Sequence, residues 1–171
     1  MYINLILAIA LVAITTYTDI KERKIYNKHV YPAMGLALIF ILLQEQYQLL
    51  LSAAIVCGFF CFLYYGSNFI SKIAIMTGAL PLAPGEKAIG GGDVKLPVAL
   101  SLLVGHMPVL YGTAMAGIIM IGYYGIRTWQ ACGTIKAFAD VALGRVHMPT
   151  AFAPFLGPSI AAIAIIENFL A

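Results

Sequence analysis

The sequence predicts an all-α membrane protein, one bundle of six transmembrane helices with both termini on the non-cytoplasmic side. Three observations carry that expectation. Of the 171 residues, 62% are hydrophobic and 10% charged, against roughly 25% charged in an average soluble domain. The apolar residues fall into six runs separated by short polar segments. With six spans, all ten Lys and Arg residues fall on one side: 21, 23, 24 and 28, then 72, 87 and 95, then 127, 136 and 145. By the positive-inside rule that side is cytoplasmic. Backbone groups in lipid must pair within their own segment, so helices are the expected spanning form, and an outer-membrane barrel would instead alternate polar and apolar residues. Residues 1–171 read as a single domain, with no linker, internal repeat or low-complexity tract.

The first apolar run, Tyr2 to Thr18, is just long enough to cross a hydrocarbon core of about 30 Å. Met1-Tyr2-Ile3-Asn4 lacks the basic start of a secretory signal, so the run reads as a permanent span. It ends in Asp19, and the most charged segment of the chain follows, Lys21 to Lys28. His29 to Leu43 is a second, short run, and Gln44 to Gln48 a polar turn without a basic residue. Leu49 to Phe69 is the third span. Residues 71–92 then read as a loop rich in Gly and Pro, of a length that is more often functional than inert. Val94 to Gly105 is a short fourth span, His106-Met107-Pro108 reads as the turn after it, and Val109 to Ile126 is the fifth. Ala151 to Leu170 is the sixth.

Ionisable residues at the edge of a span are costly and mark functional sites. Asp19 and Asp93 are two such residues, at the same cytoplasmic level. Two carboxyl groups sharing a proton hydrolyse a peptide bond without a metal: one activates water while the other hydrogen-bonds the scissile carbonyl. Like charges a few ångströms apart cannot both ionise, so such a pair titrates as a unit. Gly90, Gly91 and Gly92 before Asp93 permit positive φ and remove side chains, giving a substrate backbone access to the acid. Pro97 fits near the start of a helix better than in its middle. Lys95 is two residues beyond Asp93, where a cation either tunes the pair or anchors the helix on the positive side. The structural alternatives are that Asp93 caps its helix and that Asp19 is a boundary residue paired with Lys21 or Arg23.

Other chemistries find less support in the sequence. His29, His106 and His147 share no ligand spacing, so neither a metal nor another cofactor is expected. Cys57 and Cys61, spaced i, i+4, share a helix face as packing residues, and Cys132 stands apart. Serine and cysteine nucleophiles lack a plausible base nearby. A proton-coupled transporter using the same carboxylates would explain buried acids but not three adjacent glycines. A non-catalytic assembly subunit would need no pair of acids.

The residues from Thr18 to Asn27 resemble the first aspartate motif of the type IV prepilin peptidases, an Asp followed by a basic, I-P-N-like segment. Gly90-Gly91-Gly92-Asp93-Val94-Lys95-Leu96 is similar to their second, G-x-G-D-V-K-L, and Ala153-Pro154-Phe155-Leu156 to their P-F-x-P-F-L segment. Tyr26 stands where the family usually has proline. By size the chain is most similar to the small branch serving Flp/Tad-type pili. The resemblance implies an inner-membrane aspartic endopeptidase with Asp19 and Asp93 as catalytic pair, and with Gly90, Gly91, Gly92, Lys95 and Pro154 shaping the site or binding substrate. Its partners would be prepilins or pseudopilins with a short cytoplasmic leader, and membrane lipid. The paired C-x-x-C zinc insert of larger, methylating members is lacking. Archaeal preflagellin peptidases share the glycine-aspartate motif and are the nearest alternative.

Overall fold

The computed structural model describes residues 2–22, 24–76, 91–132 and 153–170. Among these residues the chain is all helix and turn, in the order α1 (Tyr2–Glu22), α2 (Asn27–Leu43), α3 (Gln48–Met76), α4 (Gly91–Val104), α5 (His106–Cys132) and α6 (Ala153–Leu170). Segments 23, 77–90 and 133–152 lie outside the described residues, and with them Gly90, Lys87, Lys136, Arg145 and His147 of the sequence expectations.

Burial sorts the helices into an inner one and an outer set. Helix α4 is the inner one: Leu96, Pro97, Ala99, Leu100, Ser101, Leu102 and Leu103 are all buried, which leaves no side for lipid. It packs against α1, α2, α3 and α5. Its 14 residues give a length of about 21 Å at 1.5 Å per residue, less than a bilayer core. Helices α1, α3 and α5 are long and apolar enough to cross a membrane, while α2 and α6 are shorter apolar helices. The outer helices expose large apolar side chains such as Ile6, Phe62, Leu43 and Ile118. In water that surface would be untenable; against lipid tails it is the expected exterior. The protein is a multi-pass membrane protein.

Glycines set the closest helix approaches. A Cβ on Gly112 of α5 would lie 2.5 Å from the Ile160 Cα of α6, and one on Gly157 of α6 would lie 2.7 Å from Val12 Cγ1 of α1. Small residues let backbones approach within lipid, where no hydrophobic drive exists between helices. These two contacts fix α6 between α5 and α1, and so fix where its first residue falls.

Several boundaries differ from the sequence reading. The chain turns between α4 and α5 at Gly105 alone, with φ +89°, and His106-Met107-Pro108 is the first turn of α5. Pro108 misled because proline is also tolerated in the first turn of a helix, where an N–H has no partner. Helix α3 runs on to Met76, so residues 71–76 belong to it and not to a loop. Helix α1 runs past Asp19 to Glu22. The polar turn between α2 and α3 is where the sequence put it, with Glu45 at φ +54° and the Gln46 N–H on the Ile41 carbonyl at 3.1 Å.

Candidate active site

Asp19 lies on the last full turn of α1 and is only 5% exposed. On the turns leading to it, the Thr15 hydroxyl donates to the Leu11 carbonyl at 2.8 Å and the Thr18 hydroxyl to the Thr15 carbonyl at 3.1 Å. Those hydroxyls are satisfied within their own helix, so they make no claim on the carboxylate. Asp19 Oδ2 instead accepts a hydrogen bond from the backbone N–H of Ala153, 3.0 Å away. Ala153 is the first residue of α6 and fully buried.

The first N–H groups of a helix have no partner within it, and they carry the positive end of its dipole. Pro154 follows, and a proline in the first turn brings no N–H of its own to satisfy. The Ala-Pro start of α6 therefore presents the Ala153 N–H to the acid at the end of α1. Phe155 steadies the start of α6 from the other side, its ring 5.8 Å from that of Tyr123 and 6.2 Å from that of Tyr124. This gives the third quoted segment a physical role: it holds a carboxylate.

Asp93 is the third residue of α4 and half-buried. The helix begins at Gly91, so Asp93 sits inside the first turn, not before it as a cap, and neither Gly91 nor Gly92 has positive φ. The expected positive φ is therefore corrected at Gly91 and Gly92, and Gly92 has a steric reason of its own. A Cβ there would lie 2.9 Å from Ile25 Cβ, whereas at Gly91 nothing among the described residues stands within 4 Å. Gly92 thus lets the segment after α1 close down on the start of α4.

A polar contact fastens the same junction. Lys95 Nζ donates to Asn27 Oδ1 at 3.0 Å and lies 5.4 Å from the centre of the Tyr31 ring. Ile25 and Asn27 belong to the first aspartate segment, Gly92 and Lys95 to the second, so the two segments are packed on each other at one end of the bundle. Tyr26 donates its hydroxyl to the Glu22 carboxylate, and that bond holds its phenol proton above the usual range. Lys28 lies over the Tyr26 ring at 4.7 Å.

Of the seven residues singled out in the sequence, Asp19, Gly91, Gly92, Asp93, Lys95 and Pro154 belong to this end, and Gly90 lies outside the described residues. Sequence reasoning missed three participants. The Ala153 N–H has no signal, since every residue but proline carries one. Ile25 and Asn27 stood in the quoted segment, but their partners lie 67 and 68 positions away. The expectation that no base lies near a serine is also corrected: Ser52 Oγ is 2.9 Å from His106 Nδ1, at the opposite end. The Ser52 hydroxyl also faces the Gln48 carbonyl at 3.0 Å. With its one proton given there, it accepts from His106, which makes the pair a tie between α3 and α5 and not a nucleophile with its base. Cys57 and Cys61 share a helix face as expected, their sulfurs 4.0 Å apart.

A profile of the type IV leader peptidase family matches residues 5–126, a stretch that takes in both aspartates, the glycines and Lys95. No curated protein and no solved structure matches the chain. A match over that much of the sequence, on a helical bundle that packs the two aspartate segments together, places this chain in the type IV leader peptidase family.

Proposed function

We propose that the protein is an aspartic endopeptidase of the cytoplasmic membrane that removes the leader of Flp/Tad-like prepilins, with Asp19 and Asp93 as its catalytic pair. The observation that carries the proposal is the junction at the Asp19 end. A buried carboxylate on α1 takes a backbone N–H from α6, and two residues of the segment just after α1 grip the first turn of α4 on either side of Asp93. That is the arrangement two separate segments need if their acids are to act on one bond.

Residues 21, 24, 28 and 95 make this end basic, and the positive-inside rule then puts it at the cytoplasmic boundary. A prepilin with its apolar segment in the membrane and its leader in the cytoplasm presents the junction between them at that level. The peptide has to be extended there, since a helical peptide bond is shielded and internally paired. One carboxyl group takes a proton from water as it attacks the scissile carbonyl, and its partner hydrogen-bonds the carbonyl oxygen. The proton then passes to the leaving amine. The Ala153 N–H occupies one oxygen of Asp19 and orients that carboxylate; the acids lie on α1 and α4, and the residues that position them come from the α1–α2 link, the start of α2 and the start of α6. Gly91, with no described residue within 4 Å of a Cβ there, leaves room for a substrate backbone, and Lys95 and Pro154 shape the site through Asn27 and the start of α6.

Purified protein in detergent, incubated with a prepilin, tests the reading. Asp19→Asn and Asp93→Asn are expected to lose cleavage by about a thousandfold or more while eluting and melting like the parent. Cleavage surviving in either variant removes that residue from the mechanism.

A further inference from the structure

The end of the bundle opposite Asp19 holds a cavity of about 200 Å³. Its lining combines three primary carboxamides, Asn4 of α1, Gln46 of the turn before α3 and Asn168 of α6, with the apolar side chains of Leu49, Leu103 and Val104. At roughly 30 Å³ per water molecule it has room for about six, more than a single bridging water needs.

Two carboxamide oxygens on its wall, those of Asn4 and Asn168, accept no hydrogen bond among the described residues. Asn4 is 5% exposed; its Nδ2 donates to Gln46 Oε1 at 3.4 Å, and its buried Oδ1 meets no donor among the described residues. Asn168 gives its Nδ2 proton to the Ala164 carbonyl at 2.8 Å, so its other polar atom is again an acceptor. A buried acceptor without a donor is destabilising, and natural structures almost always supply one. Among the described residues, the charged side chains near it have one sign. Glu45 and Glu167 are exposed beside Gln46 and Asn168, and the six-span reading places no Lys or Arg on this side. The group that suits such a site is small, cationic and rich in N–H.

We propose that this cavity seats the primary ammonium of a zwitterionic phospholipid headgroup of the ethanolamine type, its N–H groups meeting Asn4 Oδ1 and the Asn168 carboxamide. Leu49, Leu103 and Val104 accept the short hydrocarbon spacer. The inference goes beyond the peptidase reading and needs only that this end of the bundle lies at a membrane surface. A choline headgroup carries the same charge and phosphate but no N–H, so it is the discriminating control.

The test is retention of lipid by the full-length protein in detergent, measured by native mass spectrometry with equimolar phosphatidylethanolamine and phosphatidylcholine of matched acyl chains. The expected result is about a tenfold preference for the ethanolamine lipid, reduced to near parity in Asn4→Leu and kept in Asn4→Asp, which retains the acceptor and adds charge. Equal retention of the two lipids by the parent protein overturns the proposal, as does an undiminished preference in Asn4→Leu. Should Asn4→Leu fail to fold, Asn168→Leu takes its place with the same two readings. Displacement of the lipid by soluble phosphoethanolamine at equal concentration would make the ligand a solute and overturn the lipid assignment.

Discussion

At one end of the bundle a buried carboxylate, Asp19, accepts a backbone N–H from another helix; at the other a buried carboxamide, Asn4, sits among neutral polar groups. At both positions α1 turns a polar side chain inward, Asp19 accepting from the Ala153 N–H and Asn4 donating its Nδ2 N–H to Gln46. An amide oxygen accepts an N–H as well as a carboxylate does, and burying it costs about 1–3 kcal/mol when unpaired, against several for an ion. For packing alone, asparagine would serve at position 19, its amide oxygen taking the Ala153 N–H. What it lacks is a titratable proton. On the proposed function the acid is there for its chemistry, and substitutions at the two positions separate folding from catalysis.

The largest effect that sharpens the contrast is on cleavage. Asp19→Asn is nearly isosteric and still accepts the Ala153 N–H, so it is expected to fold and to lose about a thousandfold or more in prepilin cleavage. Ser52→Ala, which removes the tie to His106 at the far end, is expected to lower stability by about 1 kcal/mol and leave cleavage within about twofold. A comparable loss from both would dissolve the distinction between the ends.

Next in size is the framework that carries α6 to Asp19. Gly112→Ala sets a Cβ 2.5 Å from the Ile160 backbone, where no side chain can swing away, and overpacking of that kind costs about 1–3 kcal/mol. Thermal unfolding in detergent should register it, together with reduced cleavage as the start of α6 is pushed off α1. Gly117→Ala, one turn and a half further along with nothing within 4 Å, is the control and should melt like the parent.

Smaller effects belong to the junction of the two segments. Gly92→Ala drives a Cβ into Ile25, 2.9 Å away; the loop can yield by a few tenths of an ångström, so cleavage should fall about tenfold through a displaced Asp93 turn. Pairing it with Ile25→Ala should recover part of the loss, which a purely local defect at Gly92 would not. Smallest is Lys95→Met, which keeps the stem and drops the hydrogen bond to Asn27. A loss of about fivefold in kcat/KM corresponds to the roughly 1 kcal/mol such a bond contributes. Lys95→Arg, which can still reach Asn27, should sit between the two.

Much of this was readable from residue types alone. Apolar runs and a one-sided distribution of ten cations gave the helices and the shared end of Asp19 and Asp93, because lipid punishes misplaced charge so heavily that composition reports position. Helix ends were less legible. Asp19 and Ser71 looked like exits from lipid, yet a helix continues through polar residues once its backbone bonds are made, as α1 and α3 do. Least legible were the contacts that assemble the site. The Ala153 N–H is a backbone group with no signature, and the fit of Ile25 on Gly92 depends on a tertiary distance. The glycines drew notice for positive φ and for room beside Asp93; the room that Gly92 gives among the described residues is taken by Ile25.

The central claim, that the acids of α1 and α4 act as one unit, is tested most directly by a double-substitution cycle. Cleavage rates are measured for Asp19→Asn, Asp93→Asn and the protein carrying both. Two halves of a single machine predict that the double variant is no slower than the slower single one, since either change alone already stops the shared chemistry. Losses that multiply across the cycle would mean the two carboxylates contribute independently, and the account of a common site would be contradicted.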